Sequence, residues 1–323
     1  MKPGLVIYAR TDGGFSVWDR ARNSWRDGSA PDLPEAYHFS SKEVWDGLRE
    51  GDKHLCNGLI ADWVSWQRER GVSFGQLSSV LETLSPSDDE PLRPGKPTRI
   101  SREDVRDMPT LEMPYGVVPI VQASAGMRRI AALAYLLVWT WQEHQHVSEL
   151  LNQTPTAEIT FLIDEIEAHL HPRWQRLILP ALLTVMRTMT NTESAQVQTI
   201  VATHAPLLLA SVEPIFDEEQ DRVFTFDLEG STVTLRQEAW SKQGDAVGWL
   251  VSDTFGLKQA RSREAEQAIE AAEAYMRGEE QNLPADLGTW EEIHHELQRV
   301  LPGHDPFWPR WIVTGEKHGM LRA

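Results

Sequence analysis

Ile159-Thr-Phe-Leu-Ile-Asp-Glu-Ile-Glu-Ala-His-Leu-His-Pro172, ITFLIDEIEAHLHP, joins an apolar run to two adjacent carboxylates, Asp164 and Glu165, and then to a loop carrying Glu167, His169 and His171. The run ITFLI (159–163) reads as a strand apolar on both faces, the pattern of a parallel sheet covered by helices. The carboxyl ends of such strands are where ligands bind. One carboxylate there can hold Mg²⁺ through its waters, while its neighbour orients a water or takes a proton from it. The competing structural reading is an ordinary acidic turn.

Residues 173–189 read as a crossover helix and VQTIVA (197–202) as the next buried strand, which makes a βαβ unit. That second strand ends in Ala202-Thr-His204-Ala-Pro206, so His204 is placed to donate a hydrogen bond toward a phosphate edge. Asp164 and His204 are 40 positions apart, room for one helix and one return strand. Upstream, Ser124-Ala-Gly126 opens a long apolar helix (IAALAYLLVWTW, 130–141). A hydroxyl and a glycine at a helix N-terminus expose free N–H groups at a positive dipole end, which favours an anion. Ser is equally an ordinary N-cap.

Farther out, LVIYARTDGGFSVW (5–18) predicts a β-hairpin about Asp12-Gly13-Gly14. Residues 20–36 are polar and turn-rich, and Tyr37–Phe39 is a short strand. Helical spacing covers 56–71 and a second short helix 74–84. Residues 85–109 read as a loop with a short strand near 98–100, and VVPIVQ (117–122) as extended. RVFTFDLEGSTVTLRQ (222–237) is a second hairpin turning at Glu229-Gly230, and 245–300 is mostly helical.

The chain has 323 residues, 41% of them hydrophobic, enough for roughly two domains of about 150 residues. It has no apolar run of about eighteen residues and no basic-then-apolar leader, so no membrane is expected. A single cysteine, Cys56, fits a reducing cytoplasm. A net charge of −17 argues against a surface devoted to nucleic acid. Arg128, Arg129, Arg173 and Arg176 leave a local basic groove open, with nucleic acid as an open partner. The thirteen tryptophans are read as core or subunit-contact residues.

In this order, QASAGMRRIAAL (122–133), ITFLIDE (159–165), IEAHLHPRWQ (166–175) and IVATHAPLLLAS (200–211) resemble the second half of an ABC-type ATPase head, in the branch of RecF, Rad50/SMC and OLD-like ATPases. The resemblance is strong over about 111–212. It implies a P-loop-NTPase-like α/β fold: a parallel sheet, an antiparallel β subdomain and a helical C-terminal tail, divided as 1–110, 111–240 and 241–323. It implies ATP and Mg²⁺ as cofactors. Glu165 becomes the catalytic base or water-orienting residue, Asp164 the Mg²⁺ ligand through water, and His204 the γ-phosphate sensor. Ser124 and Gly126 would contact the nucleotide of a partner subunit, and Glu167, His169 and Arg173 would lie in the interface loop. A homodimer or hetero-oligomer around an ATP sandwich, an effector or nuclease partner, and a place in DNA repair or anti-phage defence are implied with it. The signature reads Ala-Ser-Ala-Gly-Met, where Leu-Ser-Gly-Gly-Gln is commoner.

The phosphate cradle G-x-x-x-x-G-K-[ST] occurs nowhere in the sequence. Gly95-Lys96 is followed by Pro97 and has no glycine five positions before it. The expectation is that the cradle belongs to upstream sequence or another chain. One edge of the parallel sheet would then be exposed, and the isolated chain dimeric or poorly soluble. Two alternatives stand beside this reading: a non-catalytic scaffold of the same fold, and a metal-dependent nuclease built on Glu167, His169 and His171. His294, His295 and His304 show no ligand-like pattern. The islands at 255–257 and 305–311 are read as packing back onto the head, with docking onto a partner as the alternative.

Overall fold

A computed structural model describes residues 4–23, 36–156, 158–190, 196–279, 281 and 283–317. The chain packs as two units that divide after Arg222.

Alternation of apolar and polar residues makes β1 (Leu5–Ala9) and β2 (Phe15–Asp19) half-buried strands. The Asp12 carboxylate accepts the Gly14 N–H at 2.8 Å, and Gly13 takes a positive φ of 79°, which closes the turn between them. One turn of helix, α1 (Arg20–Asn23), follows β2. β3 (Tyr37–Phe39) then leads into α2 (Ser41–Asp46), whose start is a capping box between Ser40 and Glu43.

Next come the ribbon β4 (Leu48–Glu50) and β5 (Lys53–Cys56), and then helices α3 (Leu59–Glu69) and α4 (Val72–Thr83). Where a loop was predicted over 85–109, the chain forms β6 (Arg93–Thr98), paired with β7 (Met108–Met113) and, through it, with β8 (Gly116–Pro119). β6 contains Pro94 and Pro97, yet proline is tolerated on an edge strand, and the register shifts between Gly95 and Thr98. Gly95-Lys96 therefore sits in an antiparallel ribbon.

A short 3₁₀ turn (Ile120–Gln122) delivers the chain to α5, Ala125–Leu150, a helix twice as long as its apolar run suggested. Residues 130–141 of α5 are buried throughout, and the helix forms the spine of the first unit's core. Near its far end His144 is 2% exposed. Its Nε2 accepts the Thr156 N–H at 2.8 Å, which leaves the ring proton on Nδ1, 2.9 Å from Asp19 Oδ1.

β9 (Glu158–Asp164), α6 (Pro172–Thr190) and β10 (Gln196–Ala202) form the predicted strand, crossover helix and return strand, and α7 (Pro206–Val212) follows. The sheet order is β10-β9-β1-β2-β3, with β10, β9 and β1 mutually parallel and β2 and β3 antiparallel. β10 was expected to be buried. Among the described residues it pairs with β9 alone, and Ile200 is 51% exposed. An outer strand is covered on one flank only, which accounts for the difference.

The second unit begins with the hairpin β11 (Val223–Glu229) and β12 (Thr232–Glu238), turning at Gly230 as the sequence indicates. Helices α8 (Ala246–Leu250), α9 (Arg263–Arg277), α10 (Trp290–Val300) and α11 (Trp308–Lys317) complete it. The island at 305–311, expected to pack back onto the head, packs within the second unit's own core: Trp311 is fully buried and stacks on Trp290 at 5.5 Å. No described helix is long and apolar enough to cross a membrane.

Candidate active site

Parallel pairing of β9 and β10 brings their carboxyl ends level, Ala202 opposite Asp164. Asp164, Glu165 and His204 therefore meet at one end of the sheet. His204 Nε2 lies 3.7 Å from Glu165 Oε1, longer than a hydrogen bond, with the imidazole side chain 90% exposed. The Glu165 backbone is left-handed, φ 47°, a strained conformation for a residue with a Cβ. It is held from several sides. Its N–H donates to Ala202 O at 3.0 Å and its carbonyl accepts the Ala168 N–H at 3.0 Å.

Two more residues complete that hold: Thr11, which the sequence did not single out, and Arg129, which it offered only for a basic groove. Thr11, just past the end of β1, donates its hydroxyl to Glu165 Oε2 at 3.0 Å. Arg129, in the second turn of α5, donates to the carbonyls of Thr11 (2.9 Å), Glu165 (2.9 Å) and Asp164 (3.4 Å). Burial pushes the Arg129 pKa down, while Glu167, Glu165 and Asp164 pull it back up. Arg129 is thus engaged with main chain, while Arg128, Arg173 and Arg176 are exposed. The signal for Thr11 lay in topology: it became visible only once β1 was known to run beside β9.

Glu167 turns inward, 9% exposed. Its Oε1 accepts the Thr203 hydroxyl at 2.5 Å and the His204 N–H at 3.1 Å, so it ties the loop after β9 to the loop that presents His204. Its Oε2 is buried with no hydrogen-bond partner. His169 is exposed with φ 66°, and Arg173 is exposed, its guanidinium 3.9 Å from Glu90.

Ser124 caps α5, its hydroxyl oxygen accepting the Met127 N–H at 3.2 Å. Gly126 is buried against the same loop: a Cβ built there would lie 3.1 Å from the His169 carbonyl and 3.5 Å from Leu170 Cδ2. The start of α5 and the loop after β9 thus touch directly, a close approach that glycine permits.

The donor set suits a magnesium ion shared with phosphate oxygens, because Mg²⁺ keeps several waters and needs only one or two carboxylates. Among the described residues no group of three or more His, Cys, Asp or Glu could hold a metal. Asp164, at the end of β9 opposite Ala202, is one carboxylate of that set.

The model of one protein family, the AAA domain described as putative AbiEii toxin, Type IV TA system, matches residues 16–210. Three solved structures are also similar. The first is an SMC ATPase studied for ATP-driven dimerisation and DNA-stimulated activation: 17% identity, 55% of this chain, 90% of that one, TM-score 0.34. The second is the Pyrococcus furiosus Smc head domain with an extended coiled coil, bound to the C-terminal domain of ScpA: 16% identity, 54% of this chain, 36% of that one, TM-score 0.33. The third is the Thermotoga maritima SMC head domain: 11% identity, 70% of this chain, 69% of that one, TM-score 0.31.

Proposed function

The chain belongs to the AAA domain family whose model spans 16–210, an ATPase-type nucleotide-binding fold, and on that premise we propose that it hydrolyses ATP at the joint end of β9 and β10. The observation that carries this is the poised Glu165 carboxylate, hydrogen-bonded to Thr11, 3.7 Å from the His204 imidazole and adjacent to Asp164. Glu165 orients the attacking water and accepts its proton. His204 donates a hydrogen bond to the transferring phosphoryl group, where charge builds up in the transition state. Asp164 would hold Mg²⁺, which when bound would neutralise phosphate charge. Thr11, Arg129 and Glu167 keep these groups in place.

The cradle for the phosphates comes from residues outside this sequence, since no G-x-x-x-x-G-K-[ST] occurs in it. Ser124, at an exposed helix start, faces the nucleotide of a second head in a dimer, and His169 and Arg173 lie at that interface. The work done by such a dimer belongs to defence or DNA repair, in the cytoplasm, through an effector partner. The scaffold reading is favoured by one observation, the missing cradle motif; the intact Asp164, Glu165 and His204 arrangement favours hydrolysis. Calorimetric titration of Mg-ATP into the Glu165→Gln chain tests the proposal. Binding that needs an added polypeptide carrying G-x-x-x-x-G-K-[ST], and that is weakened by Asp164→Ala and by removal of Mg²⁺, is expected. No binding, either alone or with a cradle-bearing partner added, would sink it.

A further inference from the structure

Residues of α1, β5, α3 and α5 line a cleft of about 390 Å³, within the size range of small-molecule sites. On α5 it is reached at Trp139, Gln142, Glu143 and His146, about 15–25 Å beyond Arg129, so it is separate from the sheet end that carries Asp164, Glu165 and His204.

Two charged groups in the cleft are left without hydrogen bonds that satisfy them. The Arg22 guanidinium carbon sits 4.6 Å from the centre of the Tyr37 ring and 5.2 Å from that of Trp139, and cation–π contact with both rings holds it in place. Its Nη2 donates to the Leu55 carbonyl at 3.4 Å, while Nη1 is buried with no hydrogen-bond partner. Glu143 Oε2 lies 3.8 Å from Nη1, too far for a hydrogen bond, and among the described residues neither Glu143 oxygen accepts one. Burial holds the Glu143 carboxyl above its ordinary 4.5, against the pull of Arg22 and His146. The neighbouring polar groups are already engaged. Asp62 accepts from Asn57 at 2.9 Å and from Tyr135 at 2.8 Å, and Gln142 donates to Gln76. Trp66, half-buried with its ring 5.7 Å from that of Tyr135, adds a flat apolar wall.

The cleft therefore presents one N–H donor beside two carboxylate acceptors, next to an aromatic surface. We propose that it binds a guanine base, free or as its nucleoside, with O6 accepting from Arg22 Nη1, N1–H and the 2-amino group donating to Glu143, and the ring lying on Trp66. Among the common bases only guanine offers two donors and an acceptor in a row. Adenine has one donor on that edge, and uracil and cytosine turn a second acceptor toward the carboxylate. Stacking on an aromatic side chain suits any base, so the edge and not the wall selects. Asp62 and Glu143 outnumber Arg22, so a phosphate on the ligand is disfavoured. The inference does not depend on the ATPase reading.

The probes are guanosine, inosine, adenosine and GMP, each titrated calorimetrically into the full chain without Mg²⁺ or ATP. Guanosine binds. Inosine, which lacks only the 2-amino group, binds about tenfold more weakly, a difference of about 1.4 kcal/mol. Adenosine and GMP are weaker than guanosine as well. Glu143→Gln turns one acceptor into a donor, so guanosine should then bind no better than inosine, with circular dichroism showing the variant folded. The comparison among nucleosides on the wild-type chain needs no variant.

Four outcomes overturn the proposal. Guanosine fails to bind the folded wild-type chain, which leaves the cleft to water, or guanosine and adenosine bind alike. In the third, folded Glu143→Gln keeps the preference for guanosine over inosine, which places the base elsewhere. In the fourth, GMP binds more tightly than guanosine, which rules out a neutral ligand. A chain that takes guanosine yet never binds Mg-ATP defeats the ATPase reading alone.

Discussion

Glu167 offers a direct test of how His204 is held. The Glu167→Ala substitution strands two donors, the Thr203 hydroxyl and the His204 N–H, both of which now end on Oε1. A buried donor left unsatisfied costs about 1–3 kcal/mol. The Thr203 hydroxyl can swing to another acceptor, so about 3 kcal/mol is expected for the pair. For a unit of this size each kcal/mol moves the midpoint by about 2–4 °C, so the first unit should melt about 6–12 °C lower. Glu167→Gln keeps an acceptor at Oε1 and replaces the partnerless Oε2 with an amide. It forfeits the attraction to Arg129 but also removes a buried charge, so its melting point should stay near wild type. Scanning calorimetry gives the midpoints, and hydrogen exchange at the His204 amide reports the local bond. If Glu167→Gln falls as far as Glu167→Ala, charge and not acceptor geometry holds the loop, and the reasoning fails.

Three further outcomes are expected from packing and charge. Gly126→Ala pushes a methyl to 3.1 Å from the His169 carbonyl, main chain that is already left-handed, and should destabilise by about 1 kcal/mol; faster exchange at the amides of 169–171 is its local mark. Burial pushes the Cys56 thiol up to about 12. Its stabilising contribution is full below the ordinary value of 9.0 and disappears as pH rises toward the folded value, so iodoacetamide at about pH 8 should spare the native chain and label it in urea. Hydrogen bonds from Arg261 hold the Asp305 carboxyl below its ordinary 3.8. That contribution is present above 3.8 and lost as pH falls through the lower folded value, so Asp305→Asn should flatten the acid limb of the unfolding curve.

What could be read from the sequence divides along local and non-local lines. β9, α6 and β10 were legible because an apolar run, a helical period and a β-branched run follow one another over 45 residues, Glu158–Ala202. Asp164, Glu165 and His204 came with them, each defined by its place at a strand end. β6 was hidden by its two prolines, which argue for a loop until an edge position is known. α5 was underestimated because its polar last turns, from Gln142 onward, owe their burial to contacts such as His144 with Asp19. Thr11 and Arg129 bond to partners 154 and 36 positions away, a relation no local pattern encodes. The inward turn of Glu167 depended in the same way on Thr203, 36 positions on.

The grip of α5 on β9 has a consequence for chain length. Arg129 holds the carbonyls at the end of β9, and His144 holds the Thr156 amide just before its start. Fifteen helical steps between them cover about 22 Å. Thr156 to Glu165 in extended chain covers about 30 Å, and the reach of the two side chains makes up the difference. The helix is therefore a gauge cut to the strand. Inserting or deleting one residue between 129 and 144 rotates one grip by about 100° relative to the other, so both cannot close. Substitutions along this stretch can be absorbed by repacking, but a change of length would release either the end of β9 that carries Glu165 or the end anchored at Thr156.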